Sequence, residues 1–300
     1  MTGRKPRPDT EPLYSGGNRD DFPITTGYDS VLYKDLIGSH IHNSENIVIC
    51  QSFHNGYFSG CFAPSGWYCP RPSVSWEIRY DYNSFLKMVR KNWKWRNGKS
   101  KQIYSLAFDE KAFGVFLMEN YGTDQKIVTN VTNILDIKRV YEEGFRVTAC
   151  AARGLTFFIV MTKDTDEYGD KSQKWFICTS WKEVKIKLEK QYEGGKAVTG
   201  ICSSGQGRYF VVLTETLQRQ KYRWFDRSDT TTRDYCMDRK HRRGYHPTII
   251  FMDPADEKIL VAMTKDETRS SYSCRFNQKV AGLPVEGWSL GQLHELCHIS

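Results

Sequence analysis

Phe158-Ile-Val-Met-Thr-Lys163 decides how this chain folds, because the chain repeats it. Val115-Phe-Leu-Met-Glu119, Phe210-Val-Val-Leu-Thr-Glu215 and Leu260-Val-Ala-Met-Thr-Lys265 are copies, and Ile47-Val-Ile-Cys-Gln-Ser52 is a more divergent fifth. Short runs of β-branched and aromatic residues bounded by Gly, Asp and Asn predict strands. Their unbroken apolar character predicts burial on both faces.

Working outward, an apolar stretch precedes each of the four close copies: Gln102–Phe108, Phe145–Cys150, Ala197–Cys202 and Thr248–Met252. A third stretch belongs to each copy: Val74-Ser-Trp-Glu-Ile78, Lys126-Ile-Val-Thr129, Lys174-Trp-Phe-Ile-Cys178, Tyr222-Arg-Trp-Phe225 and Tyr272-Ser-Cys-Arg-Phe276. The period then changes. Phe85, Val89 and Trp93, or Val184, Leu188 and Tyr192, recur every fourth residue as one face of a helix. Ser180-Trp-Lys-Glu183 has capping-box spacing, and Gly194 is expected to supply the left-handed stop. Gly98, Gly144, Gly194 and Gly244 close four such segments at spacings of 46, 50 and 50 residues.

The expected fold is therefore mainly β with short rim helices, in five strand-strand-strand-helix repeats. The units run over about 35–101, 102–144, 145–195, 196–245 and 246–300, within one repeat domain at 35–300. Asn55–Ser73, rich in Gly, Pro and aromatics, reads as a loop inserted in the first unit. A three-stranded unit cannot bury both faces alone, so the copies must stack, either radially as a propeller or as an open solenoid. In the propeller the helices are expected on the outer rim, covering the outermost strand edge. Residues 1–34 form an extended Pro/Gly-rich tail: Pro6, Pro8, Pro12, Pro23 and four glycines argue against regular structure, and five basic residues cancel five acidic ones.

The pattern Tyr141-Glu-Glu-Gly-Phe-Arg-Val-Thr148 followed by Phe158-Ile-Val-Met-Thr-Lys163 recurs as Tyr192-Glu-Gly-Gly-Lys-Ala-Val-Thr199 with Phe210-Val-Val-Leu-Thr214. It resembles the C-terminal repeat domain of plant and algal casein-kinase-1-like protein kinases, over most of residues 100–265. The resemblance implies a shared fold and an accessory, protein-binding role. The kinase signatures His-Arg-Asp, Asp-Phe-Gly and Ala-Pro-Glu are absent from the chain.

Composition narrows the function. No apolar run approaches the roughly 18 residues of a membrane helix. Met1-Thr-Gly-Arg-Lys-Pro-Arg-Pro8 carries no apolar leader, so a cytoplasmic protein is expected. Nine cysteines, five of them (Cys50, Cys150, Cys178, Cys202 and Cys274) in strand-like stretches, read as reduced core thiols, whereas Cys61 and Cys69 flank Trp67 as a weak pairing or metal candidate. His294-Glu-Leu-Cys-His298 matches the zinc-protease spacing, yet only Ile299 and Ser300 follow to supply a third ligand. His40 and His42 alternate across a strand as surface residues. No Gly-x-Ser-x-Gly and no Walker loop occurs, so the expectation is no enzyme, no cofactor and no metal.

Charge is the informative surface feature. The formal net charge is +8, yet residues 87–101 alone hold seven basic residues and no acid, interleaved with Trp93 and Trp95. Residues 219–245 hold nine basic and four acidic residues. Local basicity points to an acidic partner. The candidate partner-binding residues are Lys87, Arg90, Lys91, Lys94, Trp95 and Arg96, with Arg239, Lys240, Arg242 and Arg243. The expected function is a non-enzymatic scaffold, a structural subunit docking on an acidic protein assembly. The tubulin lattice of ciliary or cytoskeletal microtubules is one such assembly. Nucleic-acid binding, with Trp93 and Trp95 stacking on bases, is the second class, and an enzyme with an axial site the third. No membrane partner is expected.

Overall fold

The four close copies of the signature fold as strands flanked on both sides. The computed structural model describes residues 24–28, 46–54, 57–64, 74–93, 101–226 with short breaks, 245–253 and 258–265. Within them lie five three-stranded antiparallel sheets. Sheet one is β1 (Ile24–Tyr28), β3 (Tyr57–Pro64) and β2 (Asn46–His54), in that spatial order. Sheet two is β4 (Val74–Arg79), β6 (Ala112–Glu119) and β5 (Lys101–Asp109). Sheet three is β7 (Asp124–Val131), β9 (Thr156–Lys163) and β8 (Phe145–Arg153). Sheet four is β10 (Gln173–Cys178), β12 (Tyr209–Glu215) and β11 (Lys196–Ser203). Sheet five is β13 (Gln220–Asp226), β15 (Lys258–Lys265) and β14 (Tyr245–Met252). Three helices join first to second strands: α1 (Tyr82–Trp93), α2 (Leu135–Glu142) and α3 (Trp181–Tyr192).

Each of the four close copies is the central strand of its sheet, whereas the divergent copy Ile47–Ser52 lies in β2, an outer strand of sheet one. The two antiparallel neighbours of a central strand run parallel to each other, so each helix makes a β-α-β crossover that straddles the centre. Sheet and sequence repeat are offset by one strand. The stretch that follows each signature, such as Lys174–Cys178 after Phe158–Lys163, pairs in the next sheet. Two segments differ from expectation. Tyr57–Pro64, inside the expected loop, is the central strand of sheet one, and Ile24–Tyr28, inside the expected tail, is its outer strand.

Side-chain alternation places each central strand between two apolar layers. On β9, Phe158 and Val160 face sheet two, packing with Phe113, Val115 and helix residues Phe85, Met88 and Val89. Phe157, Ile159 and Met161 face sheet four, with Phe210, Val212, Ile137 and Val140. On β12 the opposite set, Tyr209, Val211 and Leu213, meets Leu260, Ala262, Trp181, Val184 and Leu188. The helices therefore lie against sheet faces, in the layer shared with the next sheet, rather than over strand edges as expected. Tyr82 of α1 packs edge-on to Phe158 of sheet three at 5.5 Å, and Trp181 of α3 lies 6.3 Å from Phe251 of sheet five.

Helix ends follow the local chemistry. Glu183 N–H donates to Ser180 Oγ at 3.2 Å, and Thr179 N–H donates to Glu183 Oε2 at 2.9 Å, closing the expected cap. Gly144 ends α2 with φ of 93°. After α3 the left-handed residue is Gly195, φ 70°, while Gly194 lies outside the described residues. Among the described residues no helix is long and apolar enough to cross a membrane.

A buried polar clamp repeats between sheets. Each second strand carries a one-residue bulge, at Tyr104, Thr148, Thr199 and Thr248 in sheets two to five. Gln173, on the first strand of sheet four, reaches back to the residue before the bulge in sheet three. Val147 N–H donates to Gln173 Oε1 at 2.7 Å, and Gln173 Nε2 donates to Val147 O at 3.0 Å. Nε2 also donates to Thr214 Oγ1 at 3.0 Å, and the Thr214 hydroxyl pairs with that of Thr199 at 2.6 Å. Gln125 makes the same bonds to Ile103 and Thr162, and Gln220 to Val198 and Thr264. A carboxamide has the donor and acceptor of a peptide group, so each Gln stands in for one rung of an added strand. At the equivalent positions sheet two has Val74 and Met118.

The second strands also touch in order: β2 packs on β5, β5 on β8, β8 on β11 and β11 on β14, and β14 packs on β2.

Two outcomes test this packing. Met161 and Val211 are both 0% exposed; Met161→Asp or Val211→Asp each buries an unpaired carboxylate at a cost of several kcal/mol against a domain stability of about 5–15 kcal/mol. Loss of the folding transition in circular dichroism is expected. Gln173→Leu leaves the Val147 N–H and C=O unpaired, at about 1–3 kcal/mol for each group. A lower melting temperature, with non-additive coupling to Thr214→Val, is expected; additive effects would remove the clamp as a connected unit.

Candidate functional site

Helix α1 is built from its cap outward. Ser84 N–H donates to Asp81 Oδ1 at 2.8 Å, and the Ser84 hydroxyl donates to the same carboxylate. These bonds hold the Asp81 carboxyl below the usual carboxylate range, with the Ser84 hydroxyl first and the nearby Lys87 charge a smaller contribution. Phe85, Met88 and Val89 form the buried face. Phe85 stacks on Phe113 at 4.5 Å, which fixes the rotation of the helix about its axis.

Lys87, Arg90 and Lys91 are exposed on the opposite face. Their three- and four-residue spacings place them in one stripe. The helix contains no acid, and among the described residues no ion pair holds these three cations. The other two helices carry acids of their own, two on α2 against two cations and two on α3 against four lysines. On α2, Lys138 meets Glu142 at 3.8 Å and Arg139 meets Glu143 at 4.0 Å. On α3, Lys187 meets Glu183 at 2.6 Å. Among the described helices only α1 contains no acid at all. Arg90 and Lys91 also sit in its last turn, where cations complement the helix dipole.

Of the expected binding residues, these three are together on one surface. Trp93 closes α1. Lys94, Trp95, Arg96, Arg239, Lys240, Arg242 and Arg243 lie outside the described residues, as do His40, His42, Cys69, His294 and His298.

Of the three cysteines whose side chains are described, two read as core thiols. Cys178 is 0% exposed, and burial pushes its thiol up to about 11. Burial, reinforced by a hydrogen bond with Cys150, raises Cys202 well above the usual thiol range. Both stay protonated at neutral pH, which makes them poor nucleophiles. Cys150 is partly exposed. Among the described residues no three His, Cys, Asp or Glu side chains are grouped to hold a metal.

Two grooves flank α2, which the sequence reading missed. One, of about 680 Å³, lies between the helix and β7 (Lys126–Thr129). The other, of about 300 Å³, lies between the start of the helix and β10. The signal was helix length: α2 has 8 residues where α1 and α3 have 12. The shorter helix covers less of its sheet and leaves Leu135 63% exposed.

No protein-family model matches the chain and no curated protein matches it, so the resemblance to the repeat domain of casein-kinase-1-like kinases draws no support from relatives.

Proposed function

We infer that this protein is a non-enzymatic scaffold whose body is a five-bladed, propeller-like β-repeat and whose α1 stripe docks on an acidic protein surface. The return of β14 onto β2 favours a closed ring over an open solenoid. The observation that carries the docking role is the stripe Lys87, Arg90 and Lys91, unpaired on a helix whose other face is locked between two sheets. A fixed array of cations steers encounter with an acidic surface and sets its orientation. The tubulin lattice of ciliary or cytoskeletal microtubules is the assembly we propose to test first. Kinship with the kinase repeat domain stays a proposal resting on Tyr141–Thr148 with Phe158–Lys163 and Tyr192–Thr199 with Phe210–Thr214.

The test changes Lys87, Arg90 and Lys91 together to Gln and follows co-sedimentation with microtubules across a salt series. These side chains are exposed, so an unchanged melting temperature is expected. Association slowed on the order of tenfold, with a flatter salt dependence, is expected as well. Wild-type binding by the variant places the interface elsewhere. Steep, salt-dependent binding to RNA homopolymer in place of microtubules turns the reading to nucleic acid.

A further inference from the structure

We propose that the outer edge of β10, together with the groove beside α2, receives an extended peptide that alternates carboxylates with apolar side chains and adds as a fourth strand.

The edge is open and regular. β10 pairs with β12 on one side only, and residues 173–178 pair without a bulge. Glu215 N–H donates to Ser172 O at 2.9 Å, which sets the alternation of the ladder. In an antiparallel pair, residues that exchange both bonds alternate with residues whose backbone groups point away. Lys174 and Phe176 thus bond inward, while Gln173, Trp175 and Ile177 turn their backbone groups outward. Gln173 N–H donates to the Tyr141 hydroxyl at 3.1 Å, as this phase requires. Trp175 and Ile177 have no partner strand on that side among the described residues. The outer strand of the preceding sheet is different: β7 breaks register between Val128 and Val131, where Asn130 adopts φ of 56°. A bulge there blunts β7 against further pairing. β10 has no such protection.

The groove of about 300 Å³ runs along this edge, with the first turn of α2 as its opposite wall. Ile134, Leu135, Trp175 and Phe176 supply apolar lining, and Lys138 and Lys174 are its charged residues. Among the described residues no acid lines it, although Glu142 lies 3.8 Å from Lys138 on the helix surface. Ile134 and Leu135 are 43% and 63% exposed. A strand added to β10 would place alternate side chains on the two faces of the sheet. Apolar residues on the α2 side would meet Leu135, and carboxylates on the opposite face would meet Lys174, which shares its side of β10 with Phe176. Main-chain pairing gives such sites affinity and side-chain pockets give them specificity.

The probe is a short fluorescein-labelled peptide alternating glutamate with valine and leucine, titrated into the full-length protein by fluorescence anisotropy. Saturable binding is expected, weakened by about tenfold or more when lysine replaces glutamate, or when N-methylation blocks the central amide. Leu135→Asp and Lys174→Glu, both at solvent-facing positions, are expected to weaken binding to a similar degree with an unchanged melting temperature. The variant at Lys87, Arg90 and Lys91 is expected to bind the peptide like the wild type, which separates this site from the α1 stripe. Absence of binding, indifference to N-methylation, or full binding by both groove variants overturns the proposal. So does a dimer in analytical ultracentrifugation that Lys174→Glu dissociates, because the occupant is then a second copy of the chain.

Discussion

The bond between a glutamine carboxamide and the backbone of the preceding sheet is the constraint on which the order of sheets two to five depends. Sheets that meet only through apolar layers can slide, because apolar contact is non-directional. Gln125, Gln173 and Gln220 remove that freedom by pairing with both polar groups of a single residue in the sheet before. The bulge makes this possible. It puts a threonine out of register in sheets three to five, and that hydroxyl completes a chain through a second threonine to the amide. Fully paired buried polar groups of this kind specify one arrangement among many apolar ones.

Packing then follows from position. With adjacent sheets registered, the central strand has a neighbour on each face and is apolar at successive residues, Phe157 through Met161. Further links cross the same boundaries. Arg208 of the turn before β12 donates to Leu155 O at 2.7 Å and Thr132 O at 3.1 Å, in the turns that border sheet three. Tyr209 donates to the buried carboxylate of Asp253 beside sheet five at 2.7 Å. Chemistry at the surface is thereby separated from stability. Changing the α1 cations touches none of these bonds.

The strands built on the signature and the exposure of Lys87, Arg90 and Lys91 were legible in the sequence, since both rest on periodicity and residue type. The clamp is harder to read. Gln125 and Gln173 stand one residue before the apolar stretches that begin at Lys126 and Lys174, where a polar glutamine looks like the end of a strand. β3 escaped because Gly60 and Pro64 interrupt Tyr57–Pro64, and β1 because Gly27 and Pro23 surround so short a run. The offset between repeat and sheet escaped for another reason. A short link from Glu119 to Asp124 suggests a hairpin, and only long-range pairing reveals that the chain steps to a new sheet. The groove beside α2 depends on how much sheet a short helix leaves bare, which strand and helix periodicity alone does not measure.

That offset has a mechanical consequence. The chain leaves each of sheets two, three and four from its central strand and enters the next as an outer strand, so the tether between neighbours is itself part of a ladder. Tension drawing sheet three from sheet four falls along β10, whose six residues are all paired to β12. Separation requires those rungs to fail together in shear rather than one by one, as they would if a strand were peeled from its end. A loose linker would transmit no such resistance. Each junction of this kind is thus a latch along the direction of the strand, and the load a partner applies to one sheet is shared with the next before any sheet opens.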